Sequence, residues 1–382
     1  MSGTPSARLE QSDGKAQGMK GAEDTAWIVE RARELGFALC GVARFDKFPE
    51  HESMGDWLRR GYAGKMAYLS DARRREPEQV LAGAKSVIVC AMNYNTGHPY
   101  SGETRGGEGD SPRGWISRYA WGLDYHEVMW GRLNSLVQRI SEKFEEAHTS
   151  RAYADTGPIA ERIFAKYAGL GWLGKNTLLL QEQLGSWFFL GVIVTTLEFE
   201  PSLGPAEIPP ADLCGNCRQC LDACPTEALV ETYVLDARKC ISYLTIELRE
   251  SIPEEYREAM GRHVYGCDIC QEVCPYNRTA PLTEVKEFEP RIWEGGMSLL
   301  QPELEWLAGM NEEEFREKFR GSAMRRTKWR GLVRNACIAL GNAKVEKGSS
   351  AHTRIVKLLK RLEGSTEKAI AESAQWALGR IQ

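Results

Sequence analysis

Cysteine spacing provides the most specific chemistry in this sequence of 382 residues. The first run consists of Cys214, Cys217, Cys220 and Cys224, and Pro225 follows it directly. In this C-x2-C-x2-C-x3-C-P pattern, three thiolates bind one [4Fe-4S] cluster and the fourth thiolate binds a neighbouring cluster. The run therefore predicts a protein that transfers single electrons.

A second cysteine run, CDICQEVCP at residues 267–275, lacks a first member because Val264 occupies that position. Cys240 lies between the two runs and is the obvious replacement, which brings the number of thiolates to eight, enough for two clusters. Paired C-x2-C groups also suit zinc, which is the alternative interpretation. The third C-x2-C step and the Cys-Pro ending of both runs favour iron–sulfur clusters over zinc.

A glycine-rich segment, AGLGWLGKNT at residues 168–177, satisfies G-x-G-x-x-G and nearly satisfies the P-loop pattern. It follows a helical stretch instead of a strand, so the context of a dinucleotide site is missing. Asn176 also replaces the hydroxyl that would bind magnesium in a P-loop. We expect a helix that ends at a glycine and turns into Trp172, with its backbone pressed against something bulky.

Two further groups of side chains are able to donate protons. The segment ISRYAWGLDYH ends in Asp124, Tyr125 and His126, and the segment ADTGPIAER contains Asp155 between a predicted strand and a turn. Both groups are equally consistent with helix capping, because Asp is a favoured N-cap residue. The residue pattern alone leaves capping and catalysis open.

Helices and strands alternate in the segments that must position these residues. We predict helices near residues 24–36 and 126–147, and strands near 37–45, 84–94, 151–157 and 186–199. This alternation predicts an α/β or α+β first domain. A proline-rich segment at 201–212 is the expected linker into the cysteine region.

The C-terminal part of the chain contains an internal repeat. RNACIALGN at 334–342 recurs as ESAQWALGR at 372–380, an offset of 38 residues that is typical of HEAT-type helix pairs. The whole chain is therefore expected to be an α+β multidomain protein. The expected parts are a disordered tail at 1–23, an α/β domain at 24–203, a ferredoxin-like two-cluster domain at 204–281 and a helical HEAT-type domain at 282–382.

Composition is that of an ordinary globular protein, with 42% hydrophobic and 27% charged residues. The remaining cysteines, Cys40, Cys90 and Cys337, lie in apolar segments and are expected to be buried, reduced thiols. No stretch is apolar enough to cross a bilayer, and the N-terminus has no secretory signal pattern. We therefore expect a cytoplasmic protein without membrane contact.

The net charge of −4 gives no global indication of nucleic-acid binding. Residues 318–345, however, contain no Asp or Glu and include eight cations. These cations are Lys318, Arg320, Arg325, Arg326, Lys328, Arg330, Arg334 and Lys344. Such a stretch predicts either a phosphate-binding surface or a solvated helix face.

Five separated segments together resemble the epoxyqueuosine reductase family. They are SRYAWGLDYH (117–126), ADTGPIAERIFAKYAGLGWLGKNTLL (154–179), CGNCRQCLDACPTEAL (214–229), RKCISYLTIE (238–247) and YGCDICQEVCPYN (265–277). The resemblance implies an enzyme with cobalamin and two [4Fe-4S] clusters. Its reaction would remove the epoxide oxygen of epoxyqueuosine at the tRNA wobble position, using two electrons and two protons and releasing water.

The resemblance also implies roles for individual residues. Asp155 matches the family's proton donor, and such a role favours a carboxyl that stays protonated near neutral pH. The positions that match cobalamin contacts are Arg74, Ser117, Asp155, Asn176, Leu179, Leu190 and Ser242. One cluster would be bound by Cys214, Cys217, Cys220 and Cys274, and the other by Cys224, Cys240, Cys267 and Cys270.

The partners implied are a tRNA that carries epoxyqueuosine, held by the basic stretch and the helical tail, and an unidentified low-potential electron donor. Nothing in the sequence requires a partner subunit, so a monomer is expected. Two other functions are compatible with two clusters: a corrinoid enzyme similar to reductive dehalogenases, and a non-catalytic electron carrier.

Overall fold

The protein was analysed as a computed structural model that describes residues 10–101, 103, 111–208 and 210–381. The helices are α1 (Glu10–Glu34), α2 (Pro49–Arg59), α3 (Tyr125–Lys143), α4 (Glu161–Tyr167), α5 (Gln219–Asp222), α6 (Ile241–Ile246), α7 (Glu254–Arg257), α8 (Ile269–Glu272), α9 (Leu304–Gly309), α10 (Glu312–Lys318), α11 (Lys328–Gly341), α12 (Ser350–Glu363) and α13 (Lys368–Ile381). The strands are β1 (Leu39–Arg44), β2 (Ser86–Asn93), β3 (Trp115–Ile116), β4 (Ser150–Tyr153), β5 (Trp172–Leu173), β6 (Leu179–Leu180), β7 (Phe188–Thr195), β8 (Leu229–Glu231), β9 (Val234–Leu235) and β10 (His263–Tyr265).

A four-stranded sheet with the order β1-β2-β7-β4 forms the centre of the first part of the chain. All its pairings are antiparallel, so the expected α/β domain is in fact α+β. Strands β2 and β4 are parallel to each other, as the helix between them suggested. Strand β7, which comes later in the sequence, lies between them and makes both contacts antiparallel.

Both faces of this sheet are covered, because alternate residues of a strand point to opposite sides. Ile88, Cys90 and Met92 of β2 face α1 and α3, whereas Val87 and Val89 face α4. Every residue of β2 is buried, which explains its continuous apolar sequence SVIVCAMN. Of the remaining cysteines, Cys90 and Cys337 are buried and Cys40 is half-buried, and all three are free.

Helix α1 begins well before the predicted start. It includes residues 10–23, which the sequence had assigned to a disordered tail, whereas residues 1–9 of that tail lie outside the described residues. Ile28 and Ala32 anchor its second half in the core. Once that half is formed, each added residue gains one backbone hydrogen bond, so the helix extends through the polar segment.

The glycine-rich segment links α4 to a short hairpin. Gly169 and Gly171 have φ angles of 78° and 154°, and strand β5 then pairs with β6. A Cβ atom at Gly171 would lie 1.9 Å from the carbonyl oxygen of Leu180, so only glycine fits there. The predicted helix end and turn into Trp172 are thus confirmed.

The C-terminal helices share one continuous core with the central sheet. Side chains of α1, α3 and β2 belong to the same buried cluster as those of α9, α11 and α13. The repeated alanines and leucines, at 336–340 and 374–378, are buried at the contact between α11 and α13. The predicted boundary at residue 282 therefore marks a change in the kind of secondary structure. The residues on its two sides still belong to one hydrophobic core. No helix within the described residues is long and apolar enough to span a membrane.

Candidate functional site

The cysteines surround two different spaces. Cys214, Cys217, Cys220 and Cys274 line a cavity of about 190 Å³, and we call them the distal set. Cys224, Cys240, Cys267 and Cys270 line a larger cavity of about 550 Å³, and we call them the proximal set. Each set combines cysteines from both sequence runs. The larger space is called the inner cavity below.

The fold brings the runs together through two short helices. Cys220 lies in α5 and Cys270 lies in α8, and these helices contact each other. Cys240 precedes the first residue of α6 as its N-cap. The parallel pairing of β10 with β3 then places Gly266, the residue before Cys267, against Ser117, whose amide donates to the carbonyl of Tyr265 at 2.7 Å.

The electrostatics of the cysteines favour a positively charged occupant. Burial, followed by the nearby thiols of Cys214, Cys274 and Cys217, raises the pKa of Cys220 to about 11. Burial and the neighbouring cysteines of the proximal set raise the pKa values of Cys267 and Cys270 well above the ordinary range. Thiolates this close to one another are stable only around a positively charged centre. An iron–sulfur cluster supplies such a centre, so the donor sets fit it.

The inner cavity has apolar walls and a few polar groups. Leu179 and Leu190 line it, together with Ser117, Asn176 and Ser242. With Asp155, which also lines it, six of the seven predicted cobalamin contacts thus meet in one space. Ser117 is 2% exposed, and its hydroxyl donates to the carboxylate of Asp268. A volume of about 550 Å³ is within the range of roughly 300–1,000 Å³ typical of small-molecule sites.

Glu161 is a further polar group of the inner cavity that sequence reasoning had not singled out. Its Oε1 atom is buried and has no hydrogen-bond partner among the described residues. Burial, followed by the charge of Asp155, raises the pKa of Glu161 to about 7. A buried, unpartnered oxygen is suited to accept a hydrogen bond from an amide. Corrins have several amide side chains, so this position fits cobalamin.

A second cavity, of about 630 Å³, adjoins the inner one, and we call it the outer cavity. Asp155, Tyr125 and Ser242 line both spaces. Arg74 lines the outer cavity only, where it donates to the carbonyl of Ile159 at 3.2 Å. Arg74 therefore shares the outer cavity with Asp155 and Ser242 but does not line the inner cavity with the other predicted cobalamin contacts.

Asp155 lies at the junction of the two cavities. It follows β4 and has a φ angle of 60°, a left-handed conformation that Asp tolerates better than most residues. Its carboxylate accepts a hydrogen bond from the hydroxyl of Tyr125 at 2.6 Å and lies 3.6 Å from Nε2 of His126. The side chain is 67% exposed because it faces the cavity space. Any molecule that filled this space would cover it.

His126 holds a positive charge beside Asp155. Its Nδ1 atom lies 2.7 Å from Oδ1 of Asp124, which also caps the N-terminus of α3. Burial opposes a charge on His126, but the contacts with Asp124 and Asp155 outweigh burial and raise its pKa to about 9. The capping and proton-donor interpretations of this segment are therefore compatible.

The same contacts act on Asp155 in the opposite direction. Burial alone would raise its pKa, but the contacts with His126 and Tyr125 outweigh burial and the pKa is lowered. The proton-donor role favours a protonated carboxyl, and these contacts act against it, so a raised pKa of Asp155 would require further burial, as against a corrin. The proton is held on His126.

The outer cavity opens beside an aromatic and charged cluster that the sequence did not reveal. Tyr68 is 46% exposed, and the guanidinium of Arg326 lies 5.3 Å from its ring centre. Arg326 also donates two hydrogen bonds to Glu247, at 2.8 and 2.9 Å. These residues are far apart in the sequence, so only the fold brings them together.

The basic stretch 318–345 does not form one uniform surface. Arg325 and Arg326 are exposed, whereas Arg334 is fully buried. Arg334 donates to the carbonyls of Leu244, Leu248 and Glu250. It therefore has a structural role, and it is not part of a phosphate-binding face.

Comparisons with known proteins agree with this site. Residues 213–277 match the family model for a 4Fe-4S double cluster binding domain. Residues 74–156 match the model described as epoxyqueuosine reductase QueG, DUF1730.

Two relatives and one solved structure that match most of this chain are all described as epoxyqueuosine reductases. The epoxyqueuosine reductase of Gloeobacter violaceus is 45% identical over 329 residues, which cover 84% of this chain and 97% of that protein. The Escherichia coli epoxyqueuosine reductase is 40% identical over 83% of this chain and 80% of its own length. A crystal structure of an epoxyqueuosine reductase with an epoxyqueuosine-modified tRNA-Tyr stem loop matches with a TM-score of 0.80 and 30% identity, over 94% of this chain and 91% of that chain.

The fold and the thiolate sets thus define an iron–sulfur oxidoreductase with a [4Fe-4S] binding domain. Sequence identities of 45% and 40% over more than four fifths of this chain also show which family it belongs to. The chain belongs to the epoxyqueuosine reductase family. It is an enzyme, and the alternative of a non-catalytic electron carrier is wrong.

Proposed function

We propose that this protein reduces epoxyqueuosine in tRNA to queuosine, with two [4Fe-4S] clusters in the cysteine sets and cobalamin in the inner cavity. The reaction takes up two electrons and two protons, breaks both epoxide C–O bonds and releases water. The observation that supports this most strongly is continuity. The cavity of the distal set and the inner cavity share Asn176 in their linings, the proximal set lines the inner cavity, and the inner and outer cavities share Asp155.

The residues that would hold cobalamin are Ser117, Asn176, Leu179, Leu190 and Ser242, with Glu161 as an acceptor for an amide side chain. When bound, cobalamin supplies a low-valent cobalt that reduces carbon–oxygen bonds. Arg74 is better suited to the substrate, because it faces the outer cavity. The domain limits 24–203, 204–281 and 282–382 remain part of this proposal, as does the HEAT-type nature of the last part.

Asp155 would deliver the proton to the leaving oxygen, and His126 would replace it. At neutral pH the imidazolium carries the proton and Asp155 is ionised. Filling both cavities removes water from the 67% exposed side chain, which raises the pKa of Asp155 and favours transfer of the proton onto it. Tyr125 keeps the carboxylate oriented through its hydrogen bond.

The tRNA would approach from the side of the outer cavity. Its lining includes Tyr68 and Arg326, and the exposed Arg325 precedes Arg326 in the sequence, so this side offers an aromatic face and two cations. Aromatic rings stack with unpaired bases, and cations bind phosphates. The protein would act as a monomer and receive its electrons from a low-potential donor.

The test is reconstitution without oxygen, followed by a turnover assay. Purified protein is supplied with iron, sulfide and cobalamin. It is then mixed with epoxyqueuosine-tRNA and with titanium(III) citrate as the reductant. The nucleosides of the tRNA are identified by mass spectrometry. Queuosine formation, together with corrin and cluster absorption, supports the proposal. Cluster absorption without corrin binding would contradict the cobalamin site.

Asp155→Asn isolates the proton donor. This variant should bind cobalamin normally. Its turnover rate should fall roughly 10²- to 10⁴-fold, which is the usual contribution of general acid catalysis. Asp56→Asn is the matched control, because Asp56 is exposed on α2 and lines neither cavity. A near-normal rate for Asp155→Asn would exclude Asp155 as the proton donor.

A further inference from the structure

The turn at residues 172–176 connects the strands of the hairpin β5–β6 and reaches the cysteine region, and the proposed cobalamin site explains Asn176 but neither Trp172 nor Lys175. Trp172, Lys175 and Asn176 all contact segments that contain cysteines of the two sets. This turn is the part of the glycine-rich segment that resembled a nucleotide-binding loop. Its contacts point to a different role.

Trp172 donates a hydrogen bond to a ligand sulfur. Its side chain is 4% exposed, and Nε1 lies 3.4 Å from Sγ of Cys214. The ring of Tyr276 packs edge-on against the indole with centres 4.9 Å apart, and the Tyr276 hydroxyl donates to the carbonyl of Leu213 at 3.0 Å. The indole is thus held from the side, and its N–H is directed at the thiolate.

Lys175 places a buried cation beside the same cysteines. It is 9% exposed, and Nζ donates to the carbonyls of Gly215 at 2.5 Å and Cys217 at 2.9 Å. Both carbonyls belong to the loop that joins two distal cysteines. No acidic side chain in the described part of the chain forms an ion pair with Lys175. A buried charge requires compensation, which an anionic, thiolate-bound cluster would supply.

We propose that Trp172 and Lys175 raise the reduction potential of the cluster bound by the distal set. This inference rests on the proposed function in one respect, namely that the distal set binds a [4Fe-4S] cluster. Adding one electron makes such a site more negative by one charge. A hydrogen bond to a ligand sulfur and a nearby cation both stabilise the more negative state, and these are recognised determinants of cluster potential.

The proximal set has different neighbours. The buried side chain of Asp268, 1% exposed, lies in the sequence between Cys267 and Cys270, and the backbone amide of Ala228 donates to Sγ of Cys224 at 3.3 Å. The Ala228 amide acts on the proximal cluster in the same direction as the Trp172 indole acts on the distal one. The two sets therefore differ in charge, because a carboxylate acts on a cluster in the opposite direction to a lysine. The distal cluster is therefore the one with the higher reduction potential. It would hold a second electron while the first electron is used in the reaction. Two-electron reduction from one-electron carriers needs such a reserve.

The experiment measures cluster potentials in the reconstituted full-length protein without substrate. Trp172→Phe removes the N–H and keeps an aromatic ring, and Lys175→Gln removes the charge and keeps a donor. Each variant is titrated with dithionite and followed by electron paramagnetic resonance. For each we expect the ratio of reduced to oxidised distal cluster at a fixed potential to fall about tenfold, which corresponds to about 59 mV for a one-electron couple. The proximal cluster should be unaffected.

Three control variants show which cluster changes its potential and which property of the side chain causes the change. Cys274→Ser identifies the distal signal, since it removes a distal ligand. Trp115→Phe removes an equally buried indole whose Nε1 has no partner among the described residues, so it should leave both potentials unchanged. Lys175→Arg restores the charge and should restore the potential.

Unchanged midpoints in both Trp172→Phe and Lys175→Gln, at full iron content, would overturn the inference. Equal shifts in Lys175→Gln and Lys175→Arg would overturn the role of the lysine charge. If the wild-type protein binds no cluster at the distal set, the proposed function fails as well. Iron content and the wild-type spectrum therefore distinguish the two failures.

Discussion

At the scale of single residues, the most informative feature is the ion pair between Asp155 and His126. The two side chains lie 3.6 Å apart, and their pKa values are shifted in opposite directions. Asp155 is held in a left-handed backbone conformation, which is uncommon outside glycine and is often found at functional sites. The pair would supply a proton from the imidazolium of His126.

The pH dependence of the reaction tests this pair. Because the pKa of His126 is about 9, single-turnover rates should be constant from pH 7 to about 8 and fall above about 9, as the imidazolium loses its proton. His126→Gln should be slow at all these pH values, without that fall. A wild-type rate that is unchanged to pH 10 would exclude His126 as the proton reservoir.

The raised pKa of His126 also makes the stability of the folded protein depend on pH, which provides a second test of the pair. The pKa of His126 is raised from 6.5 to about 9 on folding, so its contacts contribute fully below pH 6.5 and are lost as the pH rises through about 9. The difference in unfolding free energy between wild type and His126→Gln should shrink across that window. A difference that grows with pH would contradict the assigned direction.

At the scale of elements, the two copies of the C-terminal repeat have become unequal. Gly341 of α11 and Gly379 of α13 are equivalent positions, 38 residues apart. A Cβ atom at Gly341 would lie 2.8 Å from the backbone Cα of Ala377, whereas one at Gly379 would meet nothing within 4 Å. Helices α11 and α13 can pack closely only because the first of these positions has no side chain.

Alanine substitution at these two glycines should therefore have opposite effects. Gly341→Ala should destabilise the protein by about 1–3 kcal/mol, because the Ala377 backbone must move. Gly379→Ala should be neutral or stabilising by up to about 1 kcal/mol, since alanine favours a helix. Apparent Tm values from far-UV circular dichroism compare the pair. Equal effects would contradict the packing described for α11 and α13.

At the scale of the whole molecule, the groups form a path from one surface to another. The distal set and the turn at 172–176 lie at one end, and the proximal set and inner cavity follow. The outer cavity ends at the exposed side chains of Tyr68 and Arg326. Electrons and the tRNA would thus enter from different sides, and neither would obstruct the other.

Charge reversal at the mouth of the outer cavity tests the direction of tRNA entry. Arg325→Glu should weaken the binding of tRNA and reduce the slope of log K against log salt by about 1 for each lost phosphate contact. Arg33→Glu is the control, because Arg33 is exposed on α1 and lines neither cavity. Filter binding over a range of salt concentrations measures both. Unchanged affinity would move the tRNA contact to another face.

The sequence by itself was sufficient for features that depend on local spacing. The C-x2-C steps within each run and the helix that ends at the glycine-rich turn are local patterns, because the residues that define them lie a few positions apart. Most of the long helices and strands were predicted for the same reason. The grouping of cysteines from both runs, with Cys240, into two sets depends on the fold. Helix α1 was predicted too short, since its polar first half gains order only from the anchored second half.

Only the tertiary structure decided which distant residues meet. It placed β7 between β2 and β4, put Arg74 in the outer cavity, buried Arg334 and paired His126 with Asp155. It also directed the indole N–H of Trp172 at Cys214. Such contacts depend on strand order and on packing between segments up to hundreds of residues apart, and no local pattern specifies them.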